Sequence, residues 1–296
     1  MANVRGIDVS RYQGGIDWQK VKSDGIQFAM LRCGTGYNGG TKDSRFEQNY
    51  TNAKTVGLPI GAYYYTYAKT PEQAEKDAHL VLEWIKGKVF EYPVVFDIED
   101  KTQKNLGKAT ISAIIKVFCN ILEKAGYYVS VYANKDWLEN RIDNECKTKY
   151  DIWLAQWSAK PTYNGNFGMW QYTSSGKVNG ISGNVDMNIA YKNYPAIIKS
   201  NGLNGYKKTT TEKPKTEKPK ENKKPVAKVY KKGDEITLKN ASLYSSASDV
   251  MPKTKKTGKF YIYDGVEISG KYRITNKKTN CGKKPMWLYV TGWIKK

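Results

Sequence analysis

The residues best suited to chemistry lie in the run Pro93-Val94-Val95-Phe96-Asp97-Ile98-Glu99-Asp100. An apolar stretch that ends in acids reads as a strand, and alternate strand residues share a face. Asp97 and Glu99 then point the same way, with Cα atoms about 6.6 Å apart. A solvated strand end would give the same string, but packing alone gives no reason for paired acids there. Desolvation and mutual repulsion keep one of such a pair protonated to unusually high pH, as a general acid requires. Asp100 faces the other way and receives no role. Asp8, in Gly6-Ile7-Asp8-Val9-Ser10, and Asp186, in Asn184-Val185-Asp186-Met187-Asn188, end two further apolar runs, the first and the last of their region. Four carboxylates at one mouth suit either an oxygen-ligated Mg²⁺ or Ca²⁺ or glycoside hydrolysis, which needs an acid/base and a second carboxylate.

Other chemistries have little to work with. The single histidine, His79, sits in a charged helical pattern, and no GxSxG elbow is present. General acid/base work therefore falls on carboxylates. Cys33, Cys119, Cys146 and Cys281 form no CxxC pair and read as reduced, mostly buried small residues. No cofactor and no bound metal are expected. Aromatic residues cluster near the same strand ends: Tyr63-Tyr64-Tyr65-Thr66-Tyr67, Tyr132, Trp153, Trp157, Trp170 and Tyr172. Sugar rings offer C–H faces that pack on such planes. About half of these should be core instead, because successive strand positions alternate between faces.

The elements that must position these residues are legible as eight short β-rich runs: Val4–Val9, Ile26–Cys33, Ile60–Tyr67, Val94–Glu99, Tyr127–Ala133, Ile152–Trp157, Met169–Tyr172 and Val185–Ile189. Helical patterns separate the early ones: Asp17–Lys22, Ser44–Val56, Pro71–Ile85, Thr110–Ala125 with Thr110 as cap, and Asn134–Arg141. Strand–helix alternation implies parallel strands. The pattern predicts an α/β fold: an incomplete (β/α) TIM-like barrel of eight strands with about five helices. In such barrels the site lies at the C-terminal strand ends, and the first and last strands are neighbours.

Composition changes after residue 206. Of the net charge of +21, residues 207–232 contribute +8 and residues 233–296 another +8. The repeats of Thr-Glu-Lys-Pro-Lys can bury no apolar area and read as a linker over 207–226. That leaves a large domain over 1–200 and a small one over 229–296, whose short runs Glu235–Lys239, Leu243–Ser245, Phe260–Tyr263, Val266–Ile268, Tyr272–Thr275, Trp287–Val290 and Gly292–Ile294 predict a small antiparallel β-barrel. The basic end points to a polyanion. Nucleic acid is disfavoured as a partner because the expected cleft is acidic. No apolar run approaches a membrane span, so no membrane insertion is expected. The start of the chain carries no apolar signal-peptide core.

Residues 1 to about 194 resemble the lysozymes of glycoside hydrolase family 25. The likeness rests on Gly6-Ile7-Asp8-Val9-Ser10 with Tyr12-Gln13-Gly14, Ile16-Asp17-Trp18, Val21-Lys22, Gly25-Ile26-Gln27-Phe28-Ala29 and Arg32; on Asp97-Ile98-Glu99; on Trp153-Leu154-Ala155-Gln156-Trp157 and Trp170-Gln171-Tyr172-Thr173; and on Val185-Asp186-Met187-Asn188. The resemblance implies hydrolysis of the β-1,4 bond between N-acetylmuramic acid and N-acetylglucosamine in peptidoglycan glycan strands. Glu99 would be the general acid, and Asp97 its partner, orienting or polarising the substrate's acetamido group. Asp8 and Asp186 would hold substrate and tune the acid, and Tyr63, Tyr65, Tyr132, Trp157 and Gln171 would bind it. The family's course is often described as retaining with help from the substrate's N-acetyl group. Leu243-Tyr244, Gly270-Lys271-Tyr272-Arg273-Ile274-Thr275 and Gly292-Trp293-Ile294 resemble a bacterial SH3-like module, implying attachment to a Gram-positive cell wall. The combination resembles a phage endolysin, held in the host cytoplasm until a holin releases it; an autolysin of the same chemistry and a non-catalytic wall binder are the alternatives.

Overall fold

Alternation of residue type along each strand decides which side of the sheet it serves, and eight strands close into a barrel on that basis. The computed structural model describes residues 3–207, 230–245, 253–268, 270–283 and 286–295, without the side chains of Met286 and Trp287. The chain divides into two units, Met1–Lys213 and Pro214–Lys296. The linker reading over 207–226 lies outside the described residues except for Lys207.

In the first unit the strands are β1 (Val4–Val9), β2 (Phe28–Thr35), β3 (Thr41–Lys42), β4 (Ile60–Tyr65), β5 (Val94–Asp97), β6 (Val129–Asn134), β7 (Asp151–Ala155), β8 (Met169–Gly176) and β9 (Val185–Ala190). The barrel runs β1-β2-β4-β5-β6-β7-β8-β9 and closes back on β1, while β3 is a short hairpin partner hung on β2. Pairing is parallel from β1 through β8. The last strand departs from the all-parallel expectation: β9 is antiparallel to both β8 and β1. The cause is the short β8–β9 connection, Lys177–Asn184, since a parallel return needs a crossover of a dozen or more residues.

The helices are α1 (Trp18–Ser23), α2 (Phe46–Thr55), α3 (Pro71–Ile85), α4 (Lys108–Lys124), α5 (Asn144–Lys149) and α6 (Tyr194–Asn201). In α4 the buried Ile111, Ile114, Ile115, Phe118, Cys119 and Leu122 recur at helical spacing and face the sheet. That helix starts before Thr110, at an N-cap Gly107 that offers no side chain. Asn134–Arg141 forms a π-helical turn only from Trp137, which Asn134 Oδ1 caps. Short α5 and α6 are not legible in the sequence as periodic patterns.

Outward-facing strand residues such as Ile7, Leu31, Tyr64, Val94, Phe96 and Leu154 pack under the helices in one continuous core. Inward-facing Phe28, Met30, Val95, Tyr132, Trp153 and Met169 fill the barrel itself, joined by Tyr92, Tyr194 and Ile198. Phe28 stacks on Tyr92 at 4.2 Å. The ring of Phe28 occupies the place a Cβ at residue 6 would take, only 2.2 Å away, so β1 needs Gly6 there. The plug therefore fills the lower barrel and leaves the upper end open.

In the second unit β10 (Glu235–Tyr244), β11 (Thr254–Ile268), β12 (Lys271–Thr275) and β13 (Gly292–Lys295) form a closed antiparallel barrel around Ile236, Leu243, Ile262, Tyr272 and Ile274. Two expected strands, Phe260–Tyr263 and Val266–Ile268, are one continuous β11 whose register slips between Ile262 and Glu267. The expected strand Trp287–Val290 is instead a helical turn, α7 (Met286–Tyr289). The sequence puts Pro285 just before it, a residue that cannot donate to a strand ladder.

Phe118 is fully buried, stacked on Phe96 at 4.2 Å and on Tyr64 at 5.9 Å. Phe118→Ala should lower the unfolding free energy of the first unit by about 3–5 kcal/mol, read from the denaturant midpoint of the full chain.

Candidate active site

Three strands deliver the four acids to the open end of the first barrel. Asp8 ends β1, Asp97 ends β5, and Glu99 stands two residues further on, beyond the strand rather than within it. Asp186 arrives differently from the expectation. It lies at the start of β9, and because that strand runs antiparallel, its N-terminal end reaches the same mouth. The register pairs Asp186 directly with Asp8. All four acids line one cleft of about 260 Å³, together with Tyr63, Tyr65, Tyr132, Trp157 and Gln171. Every residue expected to bind or cut the substrate is thus brought to one place.

Asp8 is held by two side-chain amides. Its Oδ2 accepts from Gln171 Nε2 at 2.9 Å and from Asn188 Nδ2 at 2.8 Å. Those amides are themselves oriented. Gln171 Oε1 accepts from Tyr132 Oη at 3.0 Å and from Trp157 Nε1 at 2.9 Å, and Asn188 Oδ1 accepts from Trp153 Nε1 at 2.8 Å. An indole N–H can only donate. Each amide must therefore turn its oxygen to the tryptophan and its nitrogen to Asp8. Sequence reasoning assigns neither Trp153 nor Asn188 to the acids in this way. The available signal is that Asn188 lies two residues after Asp186 in β9, so strand period puts both on the inward face.

Burial sets the protonation of the acids. Asp8 is pushed well above the usual carboxylate range by burial and by the facing Asp186, against the pull of its two amides. Burial also raises Asp186. Asp97 is raised by burial and by Glu99, Asp8 and Asp100, with Arg32 pulling the other way. Its Oδ1 is buried with no partner among the described residues, which leaves an acceptor free for a ligand. Glu99 is more open than Asp97, and burial, Asp186 and Asp100 push it up to about 7 from an ordinary 4.5. Such a group holds a proton near neutrality and can release it, as acid/base catalysis requires.

The neighbours divide into cleft and core as strand alternation dictates. Tyr63 and Tyr65 face the cleft, whereas Tyr64 between them points outward and donates to Asp77 Oδ1 at 2.7 Å. Trp170 and Tyr172 pack outside the barrel, against each other. Trp157 is 64 % exposed at the rim, an open aromatic plane. Asp100 braces the loop after β5, where its Oδ1 accepts from Thr102 N at 2.8 Å and its Oδ2 from Tyr65 Oη at 3.0 Å. Tyr12 and Arg32 also line the cleft; the sequence shows them only as parts of the N-terminal motif. His79 is exposed on α3, as expected, and Cys33, Cys119 and Cys146 are buried free thiols. Among the described residues no three histidine, cysteine or acidic side chains are grouped so as to hold a metal ion, and no helix is long and apolar enough to cross a membrane.

Comparison with known proteins identifies the family and the fold of the first unit. The family model for glycosyl hydrolases family 25 matches residues 7–181. Lysozyme M1 of Streptomyces globisporus is 31 % identical over 201 residues, covering 63 % of this chain and 67 % of its own. The crystal structure of the CTP1L endolysin superposes with a TM-score of 0.58 at 26 % identity, over 67 % of this chain and 70 % of that one. The modular autolysin LytC from Streptococcus pneumoniae, solved in complex with a synthetic peptidoglycan ligand, gives 0.59 at 28 % identity; 64 % of this chain matches 47 % of it.

A raised pKa also carries a cost in stability. Neutral Glu99 favours folding below 4.5, and that contribution is lost as pH rises through about 7. Glu99→Gln should therefore match the native chain in urea stability at pH 4 and exceed it at pH 8. Equal stability at both pH values would contradict the raised pKa.

Proposed function

The chain belongs to glycosyl hydrolases family 25, and from that premise we propose that it is a lysozyme that cuts the glycan strands of peptidoglycan at the β-1,4 bond following N-acetylmuramic acid. One observation carries the reading: Glu99, protonated to about pH 7, stands in the same cleft as the buried Asp97, whose Oδ1 has no partner among the described residues. Glu99 gives its proton to the glycosidic oxygen as the bond to the anomeric carbon breaks. Asp97 Oδ1 takes the N–H of the substrate's acetamido group, which turns the acetamido oxygen towards the anomeric carbon as positive charge develops there. Water then adds at that carbon and returns a proton to Glu99, restoring the acid. Asp8 and Asp186, facing each other at the closing seam, hold sugar hydroxyls, and Asp186 adds to the burial that raises the pKa of Glu99. Trp157 offers its exposed face to a sugar ring, while Tyr63, Tyr65, Tyr132 and Gln171 shape the cleft around it.

The second unit supplies attachment in this proposal. Residues 233–296 carry a net charge of +8 on a small β-barrel, which suits an SH3-like module drawn to an anionic Gram-positive wall. Deployment as a phage endolysin, kept in the host cytoplasm until a holin releases it, is supported by the likeness to the CTP1L endolysin. The likeness to LytC supports the autolysin reading of the same chemistry.

Glu99→Gln should lower wall hydrolysis by about 10²–10⁴-fold while leaving wall binding intact. Mass spectrometry of borohydride-reduced fragments should show new ends in reduced muramic acid with the native chain and few with the variant. Ends in reduced glucosamine, or cleaved peptides with intact glycans, would refute the assignment. Activity of the native chain should fall as pH rises through about 7, where Glu99 loses its proton.

A further inference from the structure

A second cavity opens beside the acid cleft and has the opposite charge. It measures about 420 Å³ and shares three wall residues with the cleft: Tyr12, Arg32 and Tyr65. Its outer wall is the β2–β3 hairpin, which brings Tyr37 and Lys42 over the rim, and its remaining cation is Arg11. Among the described residues, the only acid on its lining is Asp43. That carboxylate is already committed: Oδ2 accepts from Arg32 Nε at 2.8 Å and from Arg11 N at 3.1 Å and pairs with Arg32 Nη2 at 2.7 Å, while Oδ1 accepts from Arg45 N at 2.9 Å. Asp43 thus neutralises Arg32, and no other acid on the cavity lining stands beside Arg11 or Lys42 among the described residues.

Arg11 makes no ion pair among the described residues; its guanidinium lies 5.2 Å from the ring of Tyr12. Lys42 pairs with Glu47, which is half exposed and also pairs with Lys88 at 2.9 Å. An exposed pair of that kind is weak and easily exchanged. Tyrosines 37, 65 and 67 form a contiguous aromatic wall, with Tyr37–Tyr67 at 5.9 Å and Tyr65–Tyr67 at 5.2 Å. The cavity therefore offers two available cations and an aromatic wall, within one residue's width of four acids.

We propose that this cavity binds the carboxylate-bearing stem peptide carried by the muramic-acid ring that occupies the acid cleft. The proposal rests on the muramidase reading and adds a determinant of substrate choice to it. A neutral sugar gains nothing from two available cations, and an acidic peptide would be repelled from the cleft itself. A substrate that is neutral at the scissile bond and anionic on the substituent beside it fits both cavities at once. Arg11 and Lys42 then act on substrate capture, through KM more than kcat.

The test compares purified Gram-positive cell walls with the same walls after their peptide carboxylates have been converted to methylamides with carbodiimide and excess methylamine. The glycan is unchanged by this treatment. The full-length native chain should lose several-fold in kcat/KM on the blocked walls. Arg11→Gln and Lys42→Gln should each lower kcat/KM on untreated walls by roughly threefold to tenfold, mostly through KM. Both should match the native chain on blocked walls, where their retained activity also reports an intact fold. An equal loss on blocking in native chain and variants would place the charge effect elsewhere in the molecule and overturn the proposal. So would variants with native kinetics on untreated walls. A native chain that cuts neither wall would overturn the muramidase reading itself, and this inference with it.

Discussion

The antiparallel pairing of β9 with β1 is the constraint on which the rest of the active end depends. It closes the barrel, and its register sets Asp186 opposite Asp8. Two carboxylates across one ladder repel each other unless they share a proton, and burial strengthens that demand. The field they make extends to Glu99, which feels Asp186 as its largest charged neighbour. Closure of the barrel therefore adds to what burial already does in raising the pKa of Glu99. A barrel that closed one residue out of register would turn Asp186 to the outer face and remove that field.

The barrel holds this arrangement by dividing its interior into two levels. The lower level is apolar, with Phe28 stacked on Tyr92 and Met30, Val95 and Met169 packed above. The upper level is a chain of oriented dipoles: Trp157 and Tyr132 to Gln171, Trp153 to Asn188, and both amides to Asp8. Because each indole can only donate, the amides have one orientation available, and Asp8 is fixed without a cation beside it. Arg32, the cation nearest the cleft, is tied to Asp43 instead. That leaves the acids partly uncompensated, which costs stability and supplies the raised pKa values that acid catalysis uses.

The same division of charge explains why the two cavities differ. Asp43 draws Arg32 back from the acids, while on the far side Arg11 has no ion pair among the described residues and Lys42 pairs only with the half-exposed Glu47. One carboxylate thus separates an acidic cleft from a cationic cavity across the shared wall of Tyr12 and Arg32.

Much of this is written in the sequence. The strand Val94–Asp97 can be read because apolar β-branched residues end abruptly in acids; strand period suggests that Asp97 and Glu99 share a face, but Glu99 lies past the end of β5, so its place in the cleft is set by the loop that follows. The helix Pro71–Ile85 is legible from its proline start and its spacing, both local properties. The direction of β9 is not legible, because strand periodicity is the same read either way and only the length of the connection constrains it. Nor are the roles of Trp153, Asn188 and Asp43, whose partners stand 35, 180 and 11 residues away. The sequence alone determined which residues could do chemistry and which face of which element carried them. Only the closed barrel decided which acids face each other, which amide turns toward which carboxylate, and which cations lie beside which acids, because those outcomes depend on through-space distance and burial between segments far apart in the chain.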